Sequence, residues 1–500
     1  MRLFSGIFSL ALACGIVGAD NTTQATVCEE LASVLPDGVF FPDTPFYNTS
    51  ISSYPFLQLR LHPHCIVRPT STHDVSIALA ILRENNSTRF AVKGGGHNAN
   101  AGFNNIENGV TIDMQSMKTV QVARGNQVLR VSAGALSQDA YDAAEKMNLT
   151  VLAGRIGVVG VAGFLTGGGV SFLSPQYGWA CDSIVNMEAV LASGQVVNAN
   201  ATSRPDLFAA LKGGQNNFAI VTRFDLKAYP ATPIWGGRIV YAPDAADAFL
   251  TAFTKLKTAS TPDKYIAGWA TIRYNHSAAV FNPVAIMWYT KPELKPGGLE
   301  EMTAIQPQVV NGMVEAPISE HTRNASMQVI AAPRRTIWAT TSLHVDSTIV
   351  HKIHALWRSI VPSICETYSY ANPSAELTFQ ALPAPAPTNS SSLANSFGMS
   401  PRENRTTDDM VFLQVVFSFD DAQAMPGLDK ALKDLIEVVE ELTRAQGVYH
   451  AYKYLNFAAW FQDPLGSYGT ESKRKLRQVA SKYDPSGVFQ RQVPGGFKLF

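Results

Sequence analysis

The chain has little charge and no excess of either sign. Charged residues make up 16% of its 500 positions, and forty Lys plus Arg balance forty Asp plus Glu. Without a clustered basic run it lacks the electrostatic footprint of a nucleic-acid binder. Cysteine is scarce, five in all, and none shows metal-ligand or CxxC spacing, which excludes a zinc ribbon and a CxxC redox motif. HExxH, GxSxG and GxxxxGK[ST] are absent, which speaks against zinc-protease, α/β-hydrolase and P-loop chemistry. No internal repeat occurs, and beyond the N-terminus no stretch approaches the roughly 18 to 20 continuous apolar residues that cross a bilayer. Hydrophobic residues make up 46%, so the chain has material for a core and neither disorder nor a long coiled coil fits. The class left standing is a folded protein with a small-molecule site, binding neither nucleic acid nor membrane, with a monomer as the default expectation.

What is present begins with a leader. Arg2 precedes an apolar stretch from Leu3 to Val17, and Val17-Gly18-Ala19 supplies small residues for cleavage, so residues 1–19 read as a signal peptide and the protein as secreted or held in the secretory pathway. Ten N-x-S/T sequons, at Asn21, Asn48, Asn85, Asn86, Asn148, Asn200, Asn275, Asn324, Asn389 and Asn404, fit that route. Removing Cys14 with the leader leaves Cys28, Cys65, Cys181 and Cys365, which allow three pairings. The favoured one joins Cys28 to Cys65, pinning an N-terminal arm to the next unit. Cys181 reads as a small buried hydrophobe.

Short β runs and helices alternate from Cys65: strands at Ile66–Pro69, Arg89–Lys93, Gly109–Asp113 and Gln127–Val131, helices at Val75–Glu84 and Ser137–Met147, then strands Ile184–Leu191 and Ile220–Leu226. A boundary falls near Pro230. Beyond it come helices at Ala245–Lys257 and Leu428–Glu441, with strand candidates 279–281, 285–289 and 411–417. A Pro/Ser/Ala-rich loop spans Ala381–Asn395, and a last helix spans Ser472–Tyr483. The expected divisions are an arm at 20–60, a first domain at 61–232, a second α+β unit at 233–440 and a C-terminal segment at 441–500.

Two glycine clusters carry the chemistry. Lys93-Gly94-Gly95-Gly96-His97-Asn98 follows a strand, and three residues without Cβ let backbone N–H groups converge on one acceptor, which suits a diphosphate. Gly94 to Ala99 fits a loose GxGxxA fingerprint, yet Asn100, Gly102, Asn104 and Asn105 stand where a Rossmann motif needs a helix, so a Rossmann NAD site is rejected. His97 by itself reads equally as a turn or surface histidine. The second cluster, Gly154 to Gly169, interleaves seven glycines with apolar residues, a backbone able to lie flat on a planar ligand or simply a tight packing turn. Two clusters in one domain favour a large cofactor with phosphates at one end and an aromatic system at the other. His351 with His354, and His62 with His64 on a possible strand, lack a third ligand. They read as solvated, and no metal site is expected.

These residues, together with Cys65-Ile66-Val67-Arg68-Pro69, Tyr177-Gly178, Lys212-Gly213-Gly214, Asn217 to Thr222 and Tyr454-Leu455-Asn456, resemble the FAD-linked oxidases of the vanillyl-alcohol oxidase or PCMH-type superfamily, in its berberine-bridge-enzyme-like branch. The resemblance implies an α+β fold: a two-part PCMH-type FAD-binding domain plus a substrate domain with an antiparallel sheet and flanking helices, the C-terminal segment returning to the flavin. It implies FAD bonded covalently to His97. Where many relatives add a cysteine tether this chain has Ile156, so a single attachment is expected. It assigns cofactor contact to Lys93, Gly94, Gly95, Gly96, Asn98, Val159, Gly160, Gly163, Phe164, Gly168, Tyr177, Gly178, Val221 and Asn456. It makes Tyr454 the candidate catalytic base, which would need a stabilising neighbour because an unperturbed phenol has a pKa near 10.

Val159 matches the position where oxygen-reactive relatives often carry valine. The implied reaction is hydride transfer from an alcohol, amine or activated C–H of a small, hydrophobic secondary metabolite to the flavin, with molecular oxygen as acceptor. A carbohydrate oxidase and a non-catalytic flavin-fold binding protein are the alternatives. Phe457, Ala459 and Phe164 depart from the family's usual residues, so the substrate pocket is expected to differ from those of alkaloid- and sugar-oxidising members.

Overall fold

In the computed structural model the described residues are 26–383 apart from 124 and 126, then 395–399 and 410–500. The signal-peptide stretch, most of the Pro/Ser/Ala-rich loop, and the sequons at Asn21, Asn389 and Asn404 lie outside them. Their strands form three larger sheets. The first is small and partly parallel: Val110–Asp113 lies between Cys65–Val67 and Phe90–Lys93, parallel to both, and Val39–Phe40 of the arm adds an antiparallel edge. Helix Thr72–Glu84 crosses between the first two of these strands in sequence, started by Ser71 and Asp74, which satisfy each other's backbone N–H groups in a capping box. Cys28 and Cys65 form the expected disulfide, while Cys181 and Cys365 are free and buried.

The second sheet is antiparallel and five-stranded, in the order Val120–Ala123, Val128–Ser132, Ala219–Lys227, Ile184–Leu191, Val196–Asn200. The third is a nine-stranded antiparallel sheet built between Ile234 and His450. Its central strands alternate strictly. Ala270, Ile272, Leu377, Phe379, Leu413 and Val415 are buried on the face covered by helices Ala246–Thr258, Ser347–Thr367 and Met425–Ala445, and the residues between them point the other way. The mixed α+β architecture is therefore the expected one.

Packing divides the molecule into two main cores. One gathers apolar residues from 27 to 226 with others from 452 to 499, and a second runs from Trp235 to Val439. The C-terminus is fastened onto the first: the Phe90 N–H donates to the Gln492 carbonyl, and the Asn217 side chain donates to the Phe497 carbonyl.

Three local expectations are corrected. The strand split at 279–281 and 285–289 is one strand, Val280–Tyr289, whose ladder to Ile266–Asn275 runs through Pro283 opposite Ile272. His62 and His64 lie outside any strand. His351 and His354 sit on the 21-residue helix Ser347–Thr367, where His351 is half-buried and His354 buried, so neither is a solvated histidine. His354 is packed into the second core side of that helix, where burial holds its pKa below the ordinary value. No metal-binding cluster of His, Cys, Asp and Glu occurs among the described residues.

Candidate active site

The two glycine clusters meet. A Cβ on Gly95 would lie 2.3 Å from the Gly160 nitrogen, and one on Gly160 would lie 2.1 Å from the Gly95 nitrogen, so the loops touch backbone to backbone and neither position accepts a side chain. Beside this contact opens a cavity of about 1210 Å³. That exceeds the ~300–1,000 Å³ of a usual single-ligand pocket and leaves room for a cofactor together with a substrate. Gly94, Gly95, Gly96, His97 and Asn98 line it from the first loop, and Val159, Gly160, Gly163 and Phe164 from the second. Val221 reaches it from a strand that is bulged there, and Tyr454 and Asn456 from the C-terminal segment. A Cβ on Gly163 would project into open space, so glycine keeps this stretch of wall low.

His97 stands on that wall between the edge of Phe56, 5.3 Å away, and the indole of Trp338, near-parallel at 6.5 Å. Its Nε2 is shielded from solvent and has no hydrogen-bond partner among the described residues. Burial pushes its pKa down to about 4, so the imidazole is neutral at physiological pH. An uncharged, unpartnered ring nitrogen in a glycine-walled cavity fits a histidine that bonds a bound group rather than one satisfied by the protein.

Four assigned cofactor residues are placed elsewhere. Lys93 is fully buried, ion-paired with Asp113 at 3.0 Å, and donates to the Ser50 carbonyl at 2.9 Å and to Ser53 Oγ at 2.8 Å, so it clamps the arm to the first sheet. Gly168 (φ +110°) lies under Phe397 and Trp179, and Gly178 (φ +83°) ends the short helix Ser174–Tyr177. Tyr177 is exposed and stacks on Tyr229 with ring centroids 4.1 Å apart. Backbone turns and packing account for all four.

Tyr454 is buried among Trp179, Phe412 and Phe457, with ring centroids 5.1–5.4 Å away. Asn456 Nδ2 donates to its Oη at 3.1 Å and also to the Phe164 carbonyl, tying the phenol to the second glycine cluster. Burial pushes the Tyr454 pKa up to about 12. The Asn456 hydrogen bond and the charge of Arg155 oppose that rise without overcoming it. Tyr454 is thus a protonated donor at neutral pH and not a ready base, because desolvation outweighs its two stabilising neighbours.

The opposite wall is the antiparallel sheet that the resemblance implied for the substrate domain, though the sequence singled out none of its lining residues. It is the second face of the nine-stranded sheet: Trp269, Thr271 and Arg273 from one strand, Glu376, Thr378 and Gln380 from the next, then Gln414, Val416 and Ser418. Among the described lining residues Glu376 is the single carboxylate, and it is engaged by Arg273 at 2.6 Å. Arg155, from the second glycine cluster, lines the cavity with its guanidinium 4.3 Å over the Trp269 ring. The signal for it was present in the sequence as the lone charge within an otherwise apolar, glycine-rich run.

A glycine-cradled cavity with an unpartnered histidine, between a parallel-plus-antiparallel α+β unit and a large antiparallel sheet, is the plan of a flavin-dependent oxidoreductase. Residues 63–200 match the family described as FAD binding domain. The FAD-dependent monooxygenase sdcF of Emericella nidulans is 31% identical over 492 residues, covering 96% of this chain and 99% of its own. The FAD-dependent monooxygenase drtC of Aspergillus calidoustus is 32% identical over 95% and 90% of the two chains. In fold, 6-hydroxy-D-nicotine oxidase from Arthrobacter nicotinovorans superposes with a TM-score of 0.74 at 19% identity, covering 93% of this chain and 98% of that one. Glucooligosaccharide oxidase from Acremonium strictum, studied for its 6-S-cysteinyl, 8α-N1-histidyl FAD, gives 0.71 at 19% over 95% and 99%. The chain belongs to the family of these FAD-dependent monooxygenases and is an FAD-dependent oxidoreductase, with a fold shared by a BBE-like protein of Physcomitrella patens, TM-score 0.70 at 19% identity over 94% of this chain and 99% of that one.

Proposed function

We propose that this protein is an exported FAD-dependent oxidase of a small hydrophobic metabolite, its flavin held by one covalent bond, to His97. The carrying observation is the neutral His97 imidazole with its unpartnered Nε2 on the wall of a glycine-lined cavity. Bound flavin would supply the two-electron acceptor for the substrate's hydride and pass those electrons to molecular oxygen. The residues of this chain do the rest. The Gly94–Asn98 and Gly160–Gly163 backbones line the cavity with little side-chain bulk, and the aromatic rings of Phe56, Trp338 and Phe164 exclude water from it. Tyr454, held by Asn456, offers a hydrogen bond to a substrate heteroatom. Ile156 leaves no thiol for a second tether, and Val159 on the wall supports access by oxygen.

Export is supported by the apolar N-terminal stretch, the Cys28–Cys65 disulfide, and exposed sequon asparagines at 48, 86, 148, 275 and 324. The test is spectroscopic. Acid-precipitated protein is expected to stay yellow, and anaerobically reduced enzyme to reoxidise in air with release of peroxide. A colourless pellet would overturn the covalent bond, and absent reoxidation would overturn the oxidase. The relatives' printed names favour a second reading, oxygen-atom insertion, which ¹⁸O₂ labelling of the product separates from peroxide release. Peroxide formed from cello- or chito-oligosaccharides would instead favour a carbohydrate oxidase.

A further inference from the structure

The cavity contains a cation that no described residue balances. Arg155 lies across the open end of the second glycine cluster, flat on Trp269, and neither a carboxylate nor any other hydrogen-bond acceptor engages its guanidinium among the described residues. Of the other three arginines on the wall, Arg273 is paired with Glu376 and Arg334 with Asp420 at 2.6 Å, and Arg238 has a partner of its own. Removing a guanidinium from water without a counter-charge is costly, so such groups persist where a ligand supplies the missing charge. The desolvation is felt, since burial pulls the Arg155 pKa down to about 10, yet the group stays cationic at neutral pH.

A second, independent group is left open beside it. Gln380 stands opposite Trp269 in the adjoining strand, is 3% exposed, and its Nε2 has no acceptor among the described residues. Two donors flanking one indole, one of them a planar fork, match a carboxylate carried on a flat ring: the ring lies along the aromatic wall while the fork takes both oxygens.

We propose that Arg155, with Gln380 beside it, is the carboxylate-binding site of the substrate pocket, so that the molecule oxidised is a planar aromatic acid. This rests on the reading above that the cavity holds flavin and substrate together. Arg155 acts here by binding and orienting the substrate. The proton of the reacting group has no free carboxylate to go to, as Glu376 is taken by Arg273.

Calorimetric titration of the purified holoenzyme with 2-naphthoate and its neutral counterpart 2-naphthamide tests this without requiring turnover. Wild type is expected to bind the acid at least tenfold more tightly than the amide. R155M should lose that preference by weakening the acid alone, leaving the amide within twofold. R155K should keep part of it, because an ammonium supplies charge without the fork. Q380M should weaken the acid by a smaller factor. Equal binding of acid and amide by wild type, no heat from either at millimolar concentration, or parallel losses of both in R155M would each overturn the proposal. So would loss of flavin from R155M and R155K, which would place Arg155 against the cofactor. Wild type that binds the acid selectively yet lacks flavin would overturn the oxidase reading and leave this site standing.

Discussion

On one side of the cavity Gly95 and Gly160 touch through their backbones, and the wall is made of the first glycine loop and the start of the short helix Val161–Thr166. On the other side the wall is made of side chains, Trp269, Thr378, Gln380 and Gln414, drawn from three strands that are far apart in sequence and brought together by ladder register. At Gly95 and Gly160 the glycine side leaves no freedom, since a single added carbon collides with backbone. The sheet side can change every outward residue and keep its hydrogen bonds. A cofactor that never changes suits the first construction, and a substrate that differs from relative to relative suits the second.

The sharpest way to break this comparison is H97A. It should fold, and the flavin retained after acid precipitation should fall from full occupancy to none, whereas W269F on the facing wall should retain all of it. Next is the buried clamp behind the glycine loop. K93M strands Asp113 without its partner and should lower stability by about 3–5 kcal/mol in urea unfolding. If Lys93 instead served the flavin, the loss would appear in flavin content and not in stability. G95A should then cost about 1–3 kcal/mol through overpacking against Gly160, with reduced flavin loading.

A smaller effect concerns pH. The proposed bond requires a neutral His97, and burial lowers its pKa to about 4, so flavin incorporation into flavin-free protein should keep its rate from pH 8 to about pH 5 and fall only as the ring gains its proton near pH 4. A midpoint near 6.5 would mean that the ring is solvated. Smallest is Y177A, expected to leave flavin content unchanged and stability within about 0.5 kcal/mol, as Tyr177 is on the surface and off the cavity.

Much of the glycine wall was legible because its signals are local. Gly94 to Asn98 and Gly154 to Gly169 announce themselves by composition, and each is a single consecutive stretch of chain. Lys93 misled for the same reason: adjacent in sequence to the phosphate-type loop, it points to the other side of its strand, as alternation requires. Tyr454 was located but its proton was not, since the pKa depends on the burial that Trp179, Phe412 and Phe457 impose from three different segments.

Residue types, their spacing and their periodicity were enough to determine the α+β class, the pairing of Cys28 with Cys65 as the favoured disulfide, and the histidine in its glycine loop, because each is decided by neighbours within a few residues or by one chain-wide resemblance. Tertiary structure alone decided which polar strand face looks into a cavity and which into water. Thr271, Thr378 and Gln414 have the alternation of an ordinary solvent-facing sheet, and nothing within a strand says what the fold will lay across it. The same holds for Arg155, whose charge is plain in the sequence while the lack of a counter-ion among the described residues is a property of everything packed around it.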